Sequence, residues 1–136
     1  MTALTENRYT KHRDGLVTAH PVKAGVHIYK GALTCADSTG YAVPGADTAD
    51  YTFLGVALEE ADNSAGQNGD ITLRVQTSGV FGFAKSGAVG QADIGDPLCI
   101  VDDQTVGLAA TTTNDIACGR LEAVDSDGGV WLRLQL

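Results

Sequence analysis

"DITLRVQ", residues 70–76, decides the fold. Ile71, Leu73 and Val75 point one way along an extended chain, and Thr72, Arg74 and Gln76 point the other. That period of two is what a half-buried β-strand requires. Upstream, "DYTFLGVAL" (50–58) is almost continuously apolar, which predicts a strand covered on both faces. "GVHIYKGALTCA" (25–36) alternates through Val26 and Ile28 and, after a break at Gly31, through Leu33 and Cys35. "STGYAVPGA" (38–46) sets a short apolar piece between the turn-forming Thr39-Gly40 and Pro44-Gly45 steps.

Downstream, "GVFGFA" (79–84) follows at once, so Ser78-Gly79 reads as a turn or as a bulge in one long strand. "DPLCIVDD" (96–103) and "QTVGLAA" (104–110) predict a hairpin turning at its acidic pair. "CGRLEAVD" (118–125) and "GVWLRLQL" (129–136) predict another across "SDGG", with Trp131, Leu132, Leu134 and Leu136 to bury. No stretch of ten residues keeps helical periodicity, and "SGAVGQADIG" (86–95) has room for one helical turn at most. The fold class is therefore all-β, a small β-barrel or β-sandwich over residues 22–136 behind an extended N-terminal arm over 1–21.

A chain of 136 residues is most simply one domain, and it can bury a core without metal or disulfide. Its apolar runs are too short to span a bilayer and no signal peptide opens it, so a soluble, non-secreted protein is expected. Cys35, Cys99 and Cys118 are odd in number, far apart and flanked by apolar residues. They read as small buried hydrophobes in a reducing cell rather than as a bridge or a zinc site.

Charge is unevenly placed in a chain of net charge −8. Residues 1–31 hold five basic side chains against two acidic ones, and the remainder holds four against fifteen. The acidic body argues against a nucleic-acid surface, because phosphates would be repelled. The basic head, with Arg8, Lys11 and Arg13 around Tyr9, suits one negatively charged partner instead.

Catalytic signatures are absent from the sequence. There is no GxSxG elbow, no phosphate-cradling GxxxxGK[ST] and no HExxH. His12, His20 and His27 all fall in the first fifth of the chain and read as exposed polar residues. "EEADNSAGQNGD" (59–70) offers oxygen ligands for calcium, but not at EF-hand spacing, and reads better as a solvated loop. Glycoside hydrolysis needs two opposed carboxylates in an aromatic cleft, and only 6 % of the chain is aromatic. No catalytic residue, cofactor or metal is expected, and the chain reads as a protein that attaches to something.

The order of segments carries a resemblance. "NRYTKHRDG", "HPVKAGVHIYKGALTCADSTGYAVPG", "FLGVALEEADNSAGQNGD", "LRVQTSGVFGFA", "IGDPLCIVDDQTVG" and "VDSDGGVWLRL" together resemble the capsid cement, or decoration, proteins of tailed bacteriophages. The resemblance implies a β-barrel on the outer surface of an icosahedral head, made in the bacterial cytoplasm and commonly trimeric. It implies no chemistry, and a role in bridging major capsid protein subunits against internal DNA pressure. In that setting the arm becomes a tether. Arg8, Lys11 and Arg13 would pair with shell carboxylates, and Tyr9 would supply a buried anchor. The alternative is a carbohydrate- or host-surface-binding β module, for which Tyr41 and Tyr51 are the aromatics outside the strands.

Overall fold

The computed structural model describes residues 2–9 and 15–135. It holds β1 (Val17–Pro21), β2 (His27–Ile28), β3 (Leu33–Ala36), β4 (Ala42–Pro44), β5 (Thr52–Ala57) and β6 (Ala61–Asp62). There follow β7 (Thr72–Gln76), β8 (Val80–Lys85), β9 (Pro97–Ile100), β10 (Thr105–Leu108), β11 (Ala117–Val124) and β12 (Val130–Leu134). The helical content among the described residues is two 3-10 turns, Gln91–Asp93 and Ala109–Thr111. The all-β expectation holds, and the barrel is the form it takes.

Strands β8 to β12 close into a five-stranded barrel in the order β10-β8-β12-β11-β9, with β9 pairing back onto β10. The first half forms a five-stranded sheet in the order β1-β7-β5-β3-β4. A single parallel bridge from Val22 to Ala42 joins its two edges, so it too curls into a ring. The pair β2 and β6 is a separate two-stranded sheet that packs Ile28 and Ala61 into the core of the first ring.

These two rings follow one plan. In each, the first strand pairs antiparallel with the last, the last with the fourth, the fourth with the second, and the second with the third. The third strand then returns parallel to the first. Hydrogen bonds recur 64 positions apart. Gly31 N–H donates to Ala57 O at 2.9 Å, and Gly95 N–H to Leu121 O at 2.9 Å. Ala57 N–H donates to Ala32 O, and Leu121 N–H to Asp96 O. Asp37 N–H donates to Tyr41 O, and Val101 N–H to Thr105 O. Positive φ recurs as well, 87° at Gly31 against 89° at Gly95. In register the closing strands match Gln76 to Arg133, opposite Val56 and Arg120, and on each closing strand one arginine is held by a glutamate from the neighbouring strand or its end. Arg74 Nε lies 3.0 Å from Glu59 Oε1, and Arg133 Nε lies 2.9 Å from Glu122 Oε2.

The first ring is filled by Val22, Ile28, Ala32, Ala42, Ala57, Ala61, Leu73 and Val75. Its outer face on β3 and β5 is apolar too, with Leu33, Cys35, Phe53 and Val56 buried in one cluster with Leu98, Ile100, Leu121 and Leu132 of the second ring. This accounts for the unbroken apolar run at 50–58, because one face of β5 lines a barrel and the other docks a barrel. Burying four such side chains is the main attraction between the halves, at roughly 1.5–3 kcal/mol for a large apolar side chain. Polar contacts set the register. Leu33 N–H donates to Asp103 O at 2.9 Å. The Asp47 carboxylate accepts from the N–H groups of Thr113 and Asn114, each at 2.8 Å. Those two donors, Thr113 first, hold Asp47 below the usual carboxylate range.

The structure changes three details of the sequence reading. Strand pairing begins at Val17, so the last five residues assigned to the arm are sheet. The sequence hides this strand because β1 is an edge held by main-chain pairing and has no fully buried side chain. Ser78-Gly79 is neither a hairpin turn nor a bulge within one sheet, but the step from the first ring to the second. Trp131 is 38 % exposed, since Leu132 and Leu134 take the inner face of β12 and alternation sends the tryptophan outward. Leu136 lies outside the described residues.

All three cysteines are buried and unbridged. Burial pushes the Cys35 thiol up to about 12 and Cys118 higher still. A thiolate is the reactive form, so these thiols are protected twice. Native protein is expected to be inert to a chromogenic disulfide reagent over an hour of incubation, and to release three equivalents of chromophore after denaturation, from its 3 cysteines. Fast reaction of one thiol in the native state would contradict the packing described.

Candidate functional site

The arm springs from the seam between the two rings. Leu16 O accepts from Thr77 N–H at 3.0 Å, and Gly15 O accepts from the Thr77 hydroxyl. Thr77 begins the passage from β7 to β8, so the root of the arm sits where the rings meet. Residues 2–9 are exposed throughout. Tyr9 is 93 % exposed and Leu4 72 %, two large apolar side chains with their surface in water. Leu16 and Val17, at the root, add more exposed apolar surface. Of the four contact candidates, Arg8 and Tyr9 lie on this segment, while Lys11 and Arg13 fall outside the described residues, as does His12.

The acidic stretch 59–70 is tied to the first ring by its polar side chains. Asn63 is buried, and its Nδ2 donates to the carbonyls of Val22, Lys23 and Gln67 at 2.9–3.2 Å. Asn68 Oδ1 accepts from Ala24 N–H, and Asp70 Oδ2 from Gln67 N–H. Asp62 accepts from the hydroxyl and N–H of Ser64, which lowers its pKa. The carboxylates act as turn caps, and among the described residues no cluster of three His, Cys, Asp or Glu groups is placed to hold a metal.

His27 stands between Glu60 Oε2 at 2.5 Å and Asp62 Oδ1 at 3.9 Å, and stacks on Tyr29 with ring centroids 4.2 Å apart. His20 lies on β1 against Thr18 Oγ1, and burial lowers its pKa. His20 and His27 are half-buried rather than exposed as the sequence reading expects, and His20 lies in β1 rather than in an unpaired arm.

Asp37 is the most enclosed acid, at 9 % exposure. Lys23 Nζ, the Thr39 hydroxyl and the N–H groups of Thr39 and Tyr41 all donate to it. These donors, Lys23 first, hold its pKa well below the usual carboxylate range. A depressed pKa stabilises the fold above the unfolded value of about 4 and loses that contribution as pH falls through the folded value. The melting temperature is therefore expected to drop steeply below about pH 4. Asp37→Asn should cost roughly 1.5–3 kcal/mol at neutral pH, the range for hydrogen bonds to a charged group, and should flatten the acid limb. Identical acid limbs in wild type and variant would refute the assignment.

One further concavity lies on the second ring and touches the first at Gly31. It is a groove of about 600 Å3 bordered by Gly31, Gly82, Lys85, Gln104, Asp125 and Asp127. A neighbouring hollow of about 420 Å3, lined by Tyr29, Lys30 and Asp103, shares Gly31 and Gln104 with it. The aromatics near it are not those the sequence nominates. Tyr41 is half-buried, and Tyr51 packs against the core. Tyr29 is 58 % exposed, and alternation in "HIY" (27–29), with Ile28 inward, is the signal that places it outside.

Comparison of the chain with protein-family models, with curated proteins and with solved structures finds no match.

Proposed function

We propose that this chain is a capsid decoration protein that binds the outer surface of a bacteriophage head and bridges major capsid protein subunits. The observation that carries the reading is the pairing of a self-closed β body with an exposed segment, residues 2–9, leaving it at the seam of the two rings. Such a segment reaches farther than a compact body, because each extended residue spans about 3.3–3.6 Å. Tyr9 and Arg8 are of the residue types that dominate binding hot spots. The order of sequence segments that resembles phage cement proteins supports the same reading. So does the acidic body, which disfavours nucleic acid as the partner.

On this proposal the protein is not an enzyme, works on the virion exterior and takes no cofactor. Its assembly on the shell is a homotrimer. The decisive experiment is co-sedimentation of purified protein with undecorated heads, followed by imaging. Saturable binding at fixed lattice positions supports the proposal, and absence of binding at micromolar protein overturns it. Light scattering of the free protein tests the trimer separately.

A further inference from the structure

We infer that the outer face of β11 and β12, carrying Arg120, Trp131 and Arg133, is the surface on which a second copy of this chain docks its acidic segment 59–62. This contact, which rests on the self-assembly proposed above, needs no capsid.

Strand pairing in the second ring sets Val80, Arg133, Arg120 and Pro97 in one row across β8, β12, β11 and β9. The same pairing in the first ring sets Val17, Gln76, Val56 and Leu33 in a row. There it is a docking row, because Val56 and Leu33 are buried in the cluster shared with the second ring. Their counterparts Arg120 and Pro97 are exposed instead, and the Arg133 side chain keeps 41 % of its surface in water.

The exposed row has the makings of a charged contact. Arg120 and Arg133 stand directly opposite one another on neighbouring strands, where like charges repel. Glu122, bulged out of register beside them, accepts from Arg133 Nε at 2.9 Å and from Nη2 at 2.8 Å. Arg120 Nη2 lies 4.0 Å from the same carboxylate, beyond hydrogen-bond range. Two guanidinium forks thus share one carboxylate, and further carboxylates from outside would relieve the repulsion and meet the donors of Arg120. Trp131 supplies an apolar anchor on the same side of β12. It pairs with Gly82, and its indole lies 3.8–4.0 Å from where a Cβ there would stand. Its register counterpart in the first ring is Arg74, so the strand pairing itself does not call for an aromatic.

Charge selects the occupant. The chain carries a net −8, so every other copy offers these arginines an acidic surface. The densest run is "EEAD" (59–62), three carboxylates in four residues. Ala61 packs into the first ring's core, which leaves Glu60 and Asp62 outside with 58 % and 55 % of their side-chain surface exposed. The arginine face and the acidic run lie on different rings, so the contact is head-to-tail, the type that builds a closed trimer.

Sedimentation velocity of the full-length protein, with no heads present, tests this from about 1 to about 100 µM. The expected result is association with a dissociation constant on the order of 10 µM, weakening as salt is raised. Arg120→Glu with Arg133→Glu should weaken it about thirtyfold, and Glu60→Lys with Asp62→Lys should do the same. One chain carrying all four substitutions should return to within about tenfold of wild type, because both sides of the contact are inverted. Trp131→Ala should weaken association about tenfold, the scale of losing an interface anchor. Melting temperatures establish that each variant is folded; if the arginine reversals are not, the exposed acidic pair decides. A wild type that stays monomeric throughout overturns the inference. So does association that the reversals leave unchanged, or a fourfold variant no better than either double variant. Failure here leaves docking on the head to be judged by co-sedimentation.

Discussion

Gly119→Ala is expected to destabilise the protein by about 4 kcal/mol, combining backbone strain with overpacking, each of roughly 1–3 kcal/mol. Gly119 sits on β11 at a φ of 159°. A Cβ there would lie 2.1 Å from Arg133 O and 2.8 Å from Leu132 Cδ1. The first obstacle is main chain of the paired strand, which cannot swing aside as a side chain can. The loss is a large part of the 5–15 kcal/mol that holds a domain together. Its counterpart, Gly55→Ala on β5, should behave alike, since φ is 148° and the new Cβ would meet Gln76 O at 2.4 Å. Gly82→Ala is the control, because its Cβ meets only the Trp131 ring at ordinary contact distance. Denaturant melts of the three variants check this. Equal stability of Gly119→Ala and Gly82→Ala would mean that the strand pairing at β11 and β12 is not as described.

Removing residues 1–14 is expected to leave the fold intact and to reduce binding to undecorated heads by tenfold or more, the scale of losing hot-spot residues. The body keeps Gly15 and Leu16, whose carbonyls hold Thr77, and all of β1. The deletion takes away Tyr9, Arg8, Lys11 and Arg13 together. Reversing charge at Arg8, Lys11 and Arg13 should weaken binding most at low salt, since at 0.1 M salt exposed charges farther apart than about 10 Å are already largely screened. Circular dichroism of the truncated chain checks the fold, and co-sedimentation checks the contact. Unchanged binding by the truncated protein would move the contact to the barrels and leave the arm without a role in docking.

Strands whose side chains alternate between core and water were readable from sequence, as at Leu73 and Val75 on β7 and at Val130, Leu132 and Leu134 on β12. β1 was not readable, because it is held by main-chain pairing to β7 and its half-buried face carries the polar Thr18 and His20 while Val17 is exposed. The repeat was equally hidden. Its shared residues are few, Gly31 with Gly95, Cys35 with Cys99 and Gly55 with Gly119, and they mark backbone geometry rather than composition. Elsewhere the two copies diverge because their surroundings differ. Phe53 and Val56 face the other ring, whereas the matching Ala117 and Arg120 face water. The arm could be picked out from charge alone, but its root beside Thr77 depends on which strands meet in space. The groove lay beyond sequence for the same reason, since its rim joins turns some hundred residues apart along the chain.

The duplicated plan also makes the protein extensible. After Gln76 the chain leaves its first ring and within three residues begins the next. In the second ring the register counterpart of Gln76 is Arg133, two residues before Gln135. A third unit, or a foreign domain, joined beyond Gln135 would follow a route the molecule already uses once. Its attachment point lies outside both hydrophobic interiors and at the opposite end of the sequence from the arm. A chain of this design can be lengthened ring by ring, as beads are added to a string, with the tether at its head left alone.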